Sequence, residues 1–129
     1  MKSLLMNLGR IFLAVYFLIP GISKFTSWET NVALMETHNM KMIPGLLATA
    51  GIAQVVGSIS LLLNKHVVIC ALGFAVMTIL INFNLHDFWN TYENVNPDRE
   101  LQNFYKNVGI FAGLLLLAAV NIEQVDELE

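Results

Sequence analysis

The sequence predicts an all-α fold: a four-transmembrane-helix antiparallel bundle with a short interfacial helix in the first loop. Three observations carry this reading. Of the 129 residues, 56% are hydrophobic and 13% charged, far from the mix of a soluble domain. Met42 to Leu63 and Val67 to Leu85 hold no charged residue, nor does Asn107 to Ile122, and a helix needs roughly 20 mostly apolar residues to cross the hydrocarbon core. The link Asn64-Lys65-His66 is short enough to force its flanking spans antiparallel.

The elements follow in order within a single domain, 1–129. The first span, about 4–25, contains Arg10 and Pro20. Lys2 followed by Ile11–Ile19 suggests a signal peptide, but Arg10 splits the run and no small-x-small cleavage site precedes Lys24, so it is read as a membrane span. Arg10, Phe17, Gly21 and Lys24 share one stripe of it, with Arg10 and Lys24 about 21 Å apart along the axis. The stripe must face protein or water.

Between 26 and 43, Trp28, Val32 and Met35 recur at helical spacing, as in an amphipathic helix lying on the membrane surface. The second span, about 44–64, places Gln54 among Gly51, Gly57 and Ser58, where a close neighbouring helix can satisfy an amide. The third, about 66–86, carries Cys70, read as packing. The polar link 87–104 contains Asn96-Pro97-Asp98, a turn that can also open a helix. The fourth span, about 105–122, has Lys106, Gly109 and Gly113 on one face. The G-x-x-x-G pattern is assigned to packing inside the bundle rather than to a dimer. The acidic tail after Asn121 is expected to be solvated.

Four spans put both termini on the side of the 64–66 turn and the two longer loops opposite. Lysine and arginine are spread too evenly to set the orientation. A net charge of −3 gives no reason to expect nucleic acid.

Alternation of the spans gathers Lys24, His86, Asp87, Trp89, Asn103 and Lys106 at the loop end. Asn82 lies one turn deeper on the His86 face and leads toward Gln54. The ligand-binding set is therefore Lys24, Gln54, Asn82, His86, Trp89, Asn103 and Lys106, with His86 facing Lys24 and Lys106 and with Trp89 closing the rim. An interfacial belt of tryptophan, lysine and histidine is the competing reading. Arg10 and Asn107 are taken as structural polar residues, Arg10 reaching helix-end carbonyls near 63–65 or a polar group near Asn121. No catalytic residue is assigned. No metal-ligand cluster, C-x-x-C or Gly-rich nucleotide loop occurs. His66 and His86 sit at opposite ends of one span and His38 in a loop, which does not suit a haem. A redox centre would be a diffusible quinone or belong to a partner.

These residues resemble the DoxX family of small four-helix membrane proteins. The match rests on Gly9-Arg10, Phe17, Gly21-x-x-Lys24, Gln54-Val-Val-Gly57-Ser58, His86-x-Phe88-Trp89, Asn103-Phe104-x-Lys106-Asn107 and Gly113-Leu-Leu. Family members are similar to the small subunit of an archaeal thiosulfate:quinone oxidoreductase, and others are linked to thiol and oxidative-stress handling at the bacterial plasma membrane. The resemblance implies a redox-associated accessory protein of that membrane, contacting lipid, a small-molecule ligand such as quinone and an oxidoreductase partner. It need not be catalytic itself. Gln54 stands where members often carry glutamate, which implies loss of any proton carried there. Two alternatives stay open: a structural or assembly subunit docking a catalytic partner, and a small anion or solute transporter.

Overall fold

The computed structural model describes residues 1–128, with side chains through Glu123, so most of the acidic tail lies outside the described side chains. Five helices follow one another: α1 Lys2–Thr26, α2 Trp28–Thr37, α3 Ile43–Leu62, α4 Val67–Leu85 and α5 Pro97–Leu128. All except α2 are long and apolar enough to cross a membrane. The fold is the expected four-span bundle. The fourth span begins earlier than expected, at Pro97 rather than near 105. Proline's fixed φ suits a first helical turn, Asp98 and Glu100 complement its dipole, and the Asn96 side chain accepts from the Asp98 N–H at 2.9 Å.

The helices associate as two pairs. α1 packs along α3, α4 packs along α5, α3 and α4 meet less extensively, and α1 and α5 barely touch. The α1–α3 pair is close because of glycine. A Cβ on Gly21 would stand 2.8 Å from Cβ of Gln54 and 3.2 Å from the Val55 backbone nitrogen, so only hydrogen fits there. Gly57 plays the same part against the Phe74 ring of α4, which a Cβ would meet at 2.7 Å. Phe74 in turn stacks on Phe17 at a centroid distance of 4.3 Å, tying α1, α3 and α4 into one core with Ala14, Leu61, Ala71 and Leu114.

The predicted stripe on α1 buries Arg10, Ala14, Phe17 and Gly21. Arg10, 8% exposed, donates from Nη1 to the carbonyl of Leu61 and, at 3.2 Å, to that of Leu62; its Nη2 donates to Asn7. The guanidinium thus caps the C-terminal carbonyls of α3, which no intrahelical N–H can reach. The turn after α3 places Asn64 and His66 in the left-handed region, which asparagine tolerates well. It closes through Ser60, whose carbonyl accepts from the Lys65 N–H and whose hydroxyl donates to the Lys65 carbonyl. α2 forms in the first loop as expected and rests against α1 and α3.

Candidate functional site

At the loop end, the structure divides the sequence-predicted residues between the two helix pairs. Lys24 and Gln54 belong to the α1–α3 contact: the stem of Lys24 lies beside Gly51, and Gln54, 2% exposed, backs onto Gly21. The Oε1 of Gln54 and the hydroxyl of Ser58, one turn on, are buried without a hydrogen-bond partner. Asn82, His86, Trp89, Asn103, Lys106 and Asn107 belong to α4, the segment after it and α5.

Asn82 is fully buried and uses both ends of its amide. Its Nδ2 donates to the Phe104 carbonyl at 3.1 Å, and its Oδ1 accepts from Asn107 Nδ2 at 2.9 Å. Asn107 Oδ1 accepts from the Tyr16 hydroxyl at 3.3 Å, so a polar chain runs from α4 through α5 to α1. Asn82→Leu is expected to destabilise the bundle by about 1 kcal/mol, near the middle of measured interhelical hydrogen bonds. Unfolding titrations in mixed micelles would show it, and Asn107→Leu should add little on that background because the two amides share one bond.

His86 departs from expectation. Its ring pairs with Glu100, Nδ1 to Oε2 at 2.6 Å, rather than with the Lys24 and Lys106 side. Starting α5 at Pro97 is what brings Glu100 onto a helix beside the end of α4. Trp89 is half exposed and joins an aromatic group with Phe83, Phe88 and Phe104. Asn103 is partly buried on α5, and Lys106 is exposed.

A second polar group forms where the two long loops meet. Asp87 is 5% exposed and accepts at Oδ2 from the Tyr92 hydroxyl and from Asn90 Nδ2. His38, just beyond α2, is 7% exposed; its Nδ1 lies 3.0 Å from the Leu34 carbonyl and its Nε2 3.7 Å from Asp87 Oδ1. The Tyr92 ring meets the imidazole at a tilt of 48°, and its hydrogen bond to Asp87, with the nearby negative charge, holds the phenol above its ordinary pKa. Sequence reasoning left His38, Tyr92 and Glu100 aside because each fell in a segment read as loop, and it left Tyr16 aside because it lies one position off the α1 stripe.

The gap between α1 and α5 is a groove of about 1100 Å³ with an apolar wall that includes Leu5, Leu13, Ile110 and Leu117. Tyr16 and Lys106 lie toward one end and Lys2 and Arg10 toward the other, with no acidic residue in the described lining. Gly9, Gly109 and Gly113 border it with nothing within 4 Å of where a Cβ would stand. The G-x-x-x-G face therefore opens onto this groove instead of packing inside the bundle, correcting the expectation from sequence. The helix that would have filled it, α1, contacts α3 instead. Among the described residues no cluster of three or more histidine, cysteine or acidic side chains could hold a metal ion.

No curated protein and no solved structure shows a significant match to the chain. A family model does: that of DoxX matches residues 5–87, more than half of the chain and all of it from the first turn of α1 to the end of α4. Four membrane-crossing helices and this match make the protein an integral membrane member of the DoxX family.

Proposed function

We propose that this chain is a redox-associated accessory protein of a bacterial-type plasma membrane, and that it holds a quinone-type amphiphile in the groove between α1 and α5. The observation that carries the reading is the groove's polarity: an apolar slot with a hydroxyl, from Tyr16, and an ammonium, from Lys106, toward one end. The Lys106 ammonium is the donor a carbonyl-bearing head group needs, the Tyr16 oxygen can accept from the hydroxyl of its reduced form, and an isoprenoid tail needs the apolar wall. The Tyr16 hydroxyl donates its one hydrogen to Asn107, which is held by Asn82, so its oxygen is positioned by a side-chain network that is buried at Asn82. A bound quinone would supply electron-accepting chemistry. The chain's own residues orient the head group, exclude water and keep the tail in register. Of the ligand-binding set expected from sequence only Lys106 lines this groove; Lys24, Gln54, Asn82, His86, Trp89 and Asn103 fall outside its lining.

Quinone extracted with the purified protein and quantified by mass spectrometry tests the reading. We expect enrichment over the bulk membrane extract, and about a tenfold loss in the Tyr16→Phe, Lys106→Leu double variant, equivalent to about 1.4 kcal/mol of binding. No enrichment, or equal retention by the folded variant, would overturn it.

The open glycine face supports a second reading, an assembly subunit that seats a partner's transmembrane helix against Gly9, Gly109 and Gly113. Stable co-purification of an oxidoreductase without quinone, lost in Gly109→Leu, would favour that reading.

A further inference from the structure

We infer that His38 and Asp87 form a proton-binding site whose loading ties the end of α2 to the loop after α4. The argument starts from the tautomer. The Leu34 carbonyl can only accept, so the Nδ1 of His38, 3.0 Å away, must carry a hydrogen. In a neutral ring the other nitrogen, Nε2, is then a bare lone pair. That lone pair points at a second acceptor, Oδ1 of Asp87, 3.7 Å away, and both atoms are buried with no hydrogen-bond partner. Two acceptors facing one another in a site where the side chains are 1% and 6% exposed are unfavourable, because each has lost water and gained nothing. One proton on Nε2 removes the conflict: it supplies the missing donor and turns the contact into an imidazolium–carboxylate pair.

The surroundings favour that assignment over a proton on the carboxyl group. Oδ2 of Asp87 already accepts from the Tyr92 hydroxyl and the Asn90 amide, which stabilises the ionised carboxylate. Tyr92, from the same loop, bonds Asp87 directly, and His86, the residue before it, is engaged by Glu100 of α5. His86 thus has its own counter-charge and does not compete for Asp87. The site joins parts of the chain that share no regular secondary structure, the end of α2 and the loop between α4 and α5. Its occupancy therefore adds a charge-paired tie where the Tyr92 ring already meets His38.

Nitrogen-15 NMR of histidine-labelled full-length protein in nanodiscs reads each ring nitrogen directly. Between about pH 8 and pH 5, the range over which histidine ordinarily titrates, we expect Nδ1 of His38 to remain protonated throughout while Nε2 gains its proton as pH falls. Asp87→Asn should move that gain to lower pH by at least about one unit, a tenfold weaker hold on the proton. Tyr92→Phe, which takes a donor from the carboxylate and concentrates its charge, should move it to higher pH. Opposite shifts from two substitutions in one cluster cannot come from general loosening of the fold. Hydrogen exchange in residues 34–40 should slow as the proton binds in the wild type and should lose that dependence in Asp87→Asn. An Nε2 titration unchanged by both substitutions would overturn the inference, as would a His38 ring protonated on Nε2 alone when neutral.

Discussion

Gly21→Val is expected to destabilise the bundle by about 3 kcal/mol, at the upper end of what overpacking usually does. The position admits no side chain: the obstructing atoms include the Val55 backbone nitrogen at 3.2 Å, and backbone cannot rotate aside. α1 and α3 would have to separate, and the contact that opens is the most extensive one α1 makes. Separation would also loosen Phe17 from Phe74 and draw Arg10 from the end of α3. Gly73→Val is the matched control, since nothing stands within 4 Å of its missing Cβ. The control also isolates the small helix-propensity gain of replacing glycine. Equal midpoints for the two variants in denaturant titration would show that close approach at Gly21 is not what holds the pair together.

Arg10→Leu should cost about 2 kcal/mol, the worth of a hydrogen bond to a charged group. The loss arises at the far end of another helix, because the Leu62 carbonyl loses its guanidinium partner and the Leu61 carbonyl keeps only the Asn64 N–H. Lys65→Leu, an exposed cation in the adjoining turn, should change stability by less than about 0.5 kcal/mol. If Arg10 served only to reach the headgroups, the two variants would behave alike, and Arg10→Lys would match the wild type. Nη1 serves two successive carbonyls while Nη2 reaches Asn7, a division between two nitrogens that the single ammonium of lysine cannot reproduce.

Much of the fold is legible before any coordinates, because hydrocarbon imposes two demands that sequence displays openly: length and absence of charge. The spans, the tight 64–66 turn and the buried stripe of α1 all follow from them. The start of α5 was hidden because Pro97 to Asn103 is polar, and hydropathy reports where a helix enters lipid, not where it begins. That one offset concealed Glu100 as the partner of His86. The glycines show a different limit. Gly21, Gly57, Gly109 and Gly113 look alike in sequence, yet the first two are filled by neighbours and the last two open onto a groove. Which small residues are packed depends on which helices pair, and that is decided by the whole bundle. The meeting of His38 with Asp87 joins two loops far apart in the chain, a contact to which no periodicity points.

The length of α5 has a mechanical consequence. Its 32 residues extend about 48 Å, against about 30 Å of hydrocarbon, so it projects beyond the bilayer. A rod longer than the layer that holds it acts as a lever with its fulcrum inside the membrane. Its near arm carries Glu100, gripped by His86, and its shaft forms one wall of the groove along α1. One rigid element thus belongs to both the groove and the membrane surface, with no chain of side chains between them.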